Sequence, residues 1–218
     1  MTVKKQFVLL VSSIAFVIGA IFFVSPFFMS RGNEEFFDET VAKEEGKIDS
    51  TGKRHGEWKG FYKNGQEAYR GIYKYGLQEG QWKYFSGDGK LFKIENYSKG
   101  HQNGKASVYS DGKIYDEVNY TNGKKNGKHI HYNNDGAINY IQEYENDSMS
   151  GEFIIYSQTG KITQKGRLLN GKNVGEWRMY NDDGILTEVN IFDTLNNTYR
   201  VIKFNPTADT LSDKILKQ

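Results

Sequence analysis

A chain of 218 residues with 26% charged and 15% aromatic side chains is better supplied to bury rings than to build a large aliphatic core. The absence of cysteine excludes disulfides, thiolate chemistry, cysteine-ligated zinc and a lipidated-cysteine anchor. A formal net charge of +2, with no basic tail and no helix-turn-helix pattern, argues against nucleic acid as a partner.

After Lys4 and Lys5 no charged residue occurs until Arg31. A helix of about 20 such residues spans a hydrocarbon core of about 30 Å, so residues 1–30 read as one transmembrane helix and a membrane anchor. Lysines before the apolar run and acids after it predict a single-pass protein whose remainder lies outside the cytoplasm, in the periplasm or at the cell surface. The alternative is a cleavable signal peptide, with Phe7 to Ile18 as its apolar region and Ala20 at the cut. Residues 31–51 carry seven acids against three bases and read as an acidic linker.

From residue 52 onward one unit repeats. Taking one glycine of each copy as reference gives Gly56, Gly80, Gly104, Gly127, Gly151 and Gly175, spaced 24, 24, 23, 24 and 24 residues apart. Five residues after each stands an aromatic: Phe61, Phe85, Tyr109, Tyr132, Tyr156 and Tyr180. A glycine also recurs four residues before the reference, with Asp147 the single exception. Segments such as "EWKGFY" and "EFIIY" are too short for helices and rich in strand-forming residues. Endings such as "KNG", "NDDG" and "QTG" suit a type I turn completed by a glycine at positive φ, and the GxxxG connector is expected to supply the second reversal. The fold class predicted is all-β: an elongated antiparallel β-meander of about six two-stranded repeats over residues 52–193, preceded by the N-terminal helix. The aromatics are expected to lie in rows, each stacked on its counterparts from adjacent copies. Within residues 194–218, "TYRVIKF" (198–204) reads as a capping strand, and the tail beyond Pro206 as loose or a short helix.

The copies "GKRHGEWKGFYKNG", "GLQEGQWKYFSGDG" and "GKNVGEWRMYNDDG" resemble the bacterial variant of the MORN repeat, and the likeness covers residues 52 to about 193. Proteins with such repeats are often described as antitoxin-like, of the YwqK type. The resemblance implies an elongated β-sheet with lipid or protein binding and carries no enzymatic activity with it. Two copies depart from the pattern, with Ala106 and His129 where the others have Trp58, Trp82, Phe153 and Trp177.

These last four residues form a candidate aromatic binding face. His129 and His131 stand two apart on a predicted strand and point to the same side, but with no third ligand in view they read as an ordinary surface pair, and no metal is assigned. The acidic turns lack the ordered ligand run of a calcium loop, and "SGDGK" (86–90) lacks the spacing of a phosphate loop. No nucleophile, base and orienting group recur together, so no catalytic residue and no cofactor is assigned and the protein is not read as an enzyme. Charge is unevenly placed: residues 52–128 hold 15 Lys or Arg against 8 Asp or Glu, and residues 129–193 hold 5 against 10. The expected function is a non-enzymatic, membrane-anchored repeat protein that offers a β platform to a protein or envelope polymer. A glycan- or cell-wall-binding module, using the tryptophans, and an antitoxin or immunity partner are the alternatives.

Overall fold

The structure, a computed structural model, describes residues 41–195, 198–205, 207 and 210–217. The helix expected over residues 1–30, and the first half of the linker, lie outside these residues. Every regular element among the described residues is a strand. They are β1 (Val41–Ile48), β2 (Arg54–Tyr62), β3 (Glu67–Lys74), β4 (Leu77–Phe85), β5 (Leu91–Ser98), β6 (His101–Gln102), β7 (Gly104–Ser110) and β8 (Lys113–Thr121). There follow β9 (Lys124–Tyr132), β10 (Ile138–Glu145), β11 (Ser148–Tyr156), β12 (Ile162–Leu169), β13 (Lys172–Tyr180), β14 (Leu186–Asp193), β15 (Thr198–Phe204) and β16 (Thr210–Lys217). All belong to one antiparallel sheet in sequence order, with the two-residue β6 beside β5 and continued by β7 after a break at Asn103.

The meander is therefore as expected, and it extends further at both ends. Residues 41–48, expected within the linker, form β1 and pair with β2. The charged sequence "VAKEEGKI" reads as solvated chain, but an edge strand tolerates charge, and Gly46 faces Trp58 across the pair. At the other end "TYRVIKF" is β15, and the tail that was expected to be loose or helical contributes β16, held by Arg200, whose Nε donates to Asp213 at 2.7 Å.

Two kinds of reversal alternate. At one edge of the sheet the loops close as predicted, with Gly65 at φ 84 donating its N–H to the Tyr62 carbonyl at 2.9 Å. The third copy, one residue shorter, replaces this loop with a two-residue turn in which Asp111 (φ 48) and Gly112 (φ 76) are both left-handed. At the other edge the turns are of this two-residue kind, as in Tyr75–Gly76, Lys99–Gly100, Asn122–Gly123 and Asn170–Gly171. Asp147 keeps the same backbone at φ 69 where the glycine is missing, since Asp is one of the few L-residues that enters this region readily. Only the first glycine of the GxxxG connector makes the reversal. The reference glycine sits inside the next strand at a bulge, where Gly80 (φ 67) lies between the register pairs Ile72↔Glu79 and Arg70↔Lys83. These turns also tie each copy to the one before: Gly76 N–H donates to the Arg54 carbonyl and Gly100 N–H to that of Gln78, both at 2.9 Å.

Candidate binding surface

Successive side chains of a strand point to opposite faces, so the residue two after each reference glycine and the aromatic five after it lie on different sides. The first set falls in a buried row that crosses the sheet strand by strand. In register order it runs Gly46, Trp58, Gly71, Trp82, Glu95, Ala106, Val118, His129, Gln142, Phe153, Gly166, Trp177. Each indole of the row lies flat over a glycine of a neighbouring strand, so large is paired with small. A Cβ on Gly71 would come within 2.2 Å of the Trp82 ring, one on Gly166 within 2.2 Å of Trp177, and one on Gly46 within 2.3 Å of Trp58. Where the ring is replaced by Ala106, the preceding strand fills the space with buried Glu95.

Trp58, Trp82 and Trp177, taken from the sequence as a binding face, are consequently 7%, 2% and 3% exposed. Phe153 is half-buried beside Trp177, with ring centroids 5.9 Å apart. Tyrosines cover the indoles from the same face. Tyr73 stands edge-on between Trp58 (5.7 Å) and Trp82 (5.0 Å), and Tyr97 lies 6.2 Å from Trp82. Ring contacts around Trp58 and Trp82 thus join unlike positions on neighbouring strands. Phe153 and Trp177, equivalent positions of adjacent copies, do meet as expected, their rings reaching each other across Gly166 on the strand between them.

The middle of the row is polar. The buried Glu95 carboxylate accepts from Tyr97 Oη at 2.7 Å and from Gln102 Nε2 at 2.6 Å, and Lys93 Nζ lies 2.6 Å away. Burial, reinforced by Glu95, pushes the Tyr97 hydroxyl up to about 12. Further on, Asp116 Oδ1 accepts from His129 Nε2 at 2.7 Å and from His131 Nδ1 at 3.1 Å. His129 is 1% exposed, and its Nδ1 has no partner. Of the pair expected at the surface, His129 is therefore interior and His131 half-buried, with Tyr140 stacked on His131 at 5.0 Å between centroids. Burial works against the Asp116 charge, but the two imidazole hydrogen bonds outweigh it and hold its pKa below the ordinary carboxylate value. No group of three or more His, Asp and Glu side chains among the described residues has the geometry to hold a metal ion. Asp116 and Glu95 were not singled out in the sequence. The signal for Asp116 is its offset of 13 and 15 residues from the two histidines, the distance to a facing position on the neighbouring strand.

On the opposite face the aromatics Phe85, Tyr109, Tyr132, Tyr156 and Tyr180 keep one depth, as predicted, and all are half-exposed. Their register partners on the next strand are aliphatic: Leu91, Ile114, Ile138, Ile162 and Leu186. The first copy differs only in pairing Phe61 with Glu67. The result is an unbroken stripe of alternating rings and aliphatic groups across β4 to β14. Small polar anchors fix its rings, with the Arg70 guanidinium 5.0 Å from the Phe85 ring and Tyr132 Oη donating to Glu117 at 3.1 Å. This stripe, and not the row of indoles, leaves its rings and aliphatic groups half-exposed.

Comparison with known proteins agrees with this repeat geometry at its N-terminal end. No curated protein matches the chain. The family described as the MORN repeat variant matches residues 54–75 and 78–99, which are β2 with β3 and β4 with β5. Two adjacent hairpins of this chain are thus similar to the MORN repeat variant, a module that is in general non-catalytic, and β7 to β14 carry the same hairpin plan onward.

Proposed function

We propose that this chain is a non-enzymatic repeat platform, anchored in a membrane by residues 1–30, whose sheet docks a protein or envelope polymer outside the cytoplasm. The observation that carries the docking role is the half-exposed stripe from Phe85 to Leu186. Such a surface gives a partner apolar contact at regular intervals while the indole face keeps the sheet rigid. The anchor rests on the uncharged run between Lys5 and Arg31, and the outward orientation on the charges that flank it. A glycan platform built on the tryptophans is the weaker reading, because sugar stacking needs open indole faces and these are packed against glycine. Cross-linking in intact cells followed by purification through a C-terminal tag tests the proposal. Recovery of one envelope protein or polymer is the expected result, and recovery of none overturns it. Protease digestion of the tag in intact cells tests the orientation separately.

A further inference from the structure

The excess positive charge of the first repeats is not spread evenly over the sheet. At the edge made by the longer loops, the first three copies bring three lysines, Lys63, Lys90 and Lys113, of which Lys90 lies 3.0 Å from Asp88 and Lys113 Nζ donates to the Asn134 carbonyl at 3.1 Å. At the edge made by the two-residue turns, Lys53, Lys74, Lys99 and Lys124 are exposed, and none makes an ion pair among the described residues. They stand at four successive turns, those joining β1 to β2, β3 to β4, β5 to β6 and β8 to β9. Acids beside them already accept backbone N–H groups: Asp49 from Thr51 and Lys53, Glu79 from Lys99, and Asp147 from Lys125. At the next turn the sign reverses, with Glu145 and Asp147 both exposed.

We infer that this lysine edge binds a linear phosphate-bearing polymer laid across the ends of the strands, which names the partner class of the platform proposed above and rests on that reading. Equivalent turns recur about every 9.5 Å, so a flexible polyanion with more closely spaced charges meets each ammonium without needing a matched repeat. The donors are all lysines. Ammonium groups bind phosphate as point charges, with no demand for the two-point geometry that an arginine fork imposes, which suits a flexible chain of phosphates. Charges about a Debye length apart repel one another little at physiological salt and attract a polyanion additively.

The test uses the full chain and inorganic polyphosphate as the probe, with affinity measured against salt concentration. Four contacts predict a log–log slope of about −3, each released counterion contributing roughly −0.7 to −0.9. The variant Lys74→Gln/Lys99→Gln/Lys124→Gln loses at least about tenfold in affinity and about two units of slope. The variant Lys63→Gln/Lys90→Gln/Lys113→Gln, confined to the opposite edge, binds as the native chain does. All these side chains are exposed, so an unchanged urea midpoint confirms that each variant folds. Equal losses in the two variants, equal affinity for poly-glutamate, or lysine-dependent capture by anionic vesicles without polyphosphate binding each overturn the inference. Should polyphosphate fail to bind while a partner is still captured through the stripe, the lysine edge is refuted and the platform reading stands.

Discussion

Replacing Gly71 by alanine probes the packing on which the sheet depends. The added Cβ would lie 2.2, 2.3 and 2.6 Å from Cδ2, Cε2 and Cγ of Trp82, where ordinary contact begins near 3.4 Å. The indole would have to retreat by 3.4 − 2.2 = 1.2 Å. It has nowhere to go, since Trp82 is 2% exposed and ringed by Tyr73, Tyr69 and Tyr97 at 5.0, 5.6 and 6.2 Å. Overpacking of this kind costs about 1–3 kcal/mol, and each ring pair pulled out of place loses part of its roughly 0.5–1.5 kcal/mol. A destabilisation of about 3 kcal/mol follows from these two contributions together. Trp82→Ala alone costs about 3–5 kcal/mol. In that background the methyl introduced by Gly71→Ala meets no indole and adds nothing, so the double-mutant cycle gives a coupling of about 2–3 kcal/mol. Urea unfolding of the full chain followed by far-ultraviolet circular dichroism measures both, from midpoints at unchanged slope. A Gly71→Ala effect below about 0.5 kcal/mol, or the same cost with and without Trp82, would refute the reasoning.

Three further outcomes are expected. Moving the tryptophan–glycine pair into the third copy, as Ala106→Trp/Glu95→Gly, yields a chain whose urea midpoint exceeds that of the Ala106→Trp single variant, because the glycine makes room for the indole. Asp116→Asn removes the carboxylate that accepts from both His129 and His131, and costs about 1.5–3 kcal/mol at neutral pH in the same urea assay. Because the folded pKa of Asp116 is depressed, its contribution is present above the unfolded carboxylate value near 4 and fades as pH falls through the lower folded value, so the variant shows a shallower acid limb. Burial raises the pKa of Tyr69, Tyr84 and Tyr140 and places Tyr97 at about 12. Their stabilising effect is complete below the unfolded value near 10 and is lost above it. An absorbance titration to about pH 11 should therefore leave these four un-ionised until the sheet unfolds.

The repeat, its turn positions and the common depth of its aromatics were legible because each recurs at a fixed interval and each has a local cause: a left-handed glycine or a strand-forming run. The pairing of Trp82 with Gly71 was not, since it depends on a second position in the preceding strand whose identity changes from copy to copy. Gly71, Glu95, Val118, Gln142 and Gly166 look unrelated until the register sets them beside Trp82, Ala106, His129, Phe153 and Trp177. For the same reason the tryptophans looked like a binding face: sequence shows that they align but not which face their neighbours cover. β1 and β16 escaped notice because edge strands carry charge, and neither "VAKEEGKI" nor "TLSDKILK" has the repeat's glycines. Asp116 is one acid among many until the strand pairing turns it toward two imidazoles.

The central claim is that partners meet the stripe and not the indole face. Photo-cross-linking amino acids placed singly at Tyr132 and Tyr156 on the stripe, and at Tyr73 and Tyr144 on the indole face, test it in intact cells. The account predicts one common adduct from Tyr132 and Tyr156 and none from Tyr73 or Tyr144. Adducts formed from Tyr73 and Tyr144 alone would contradict it.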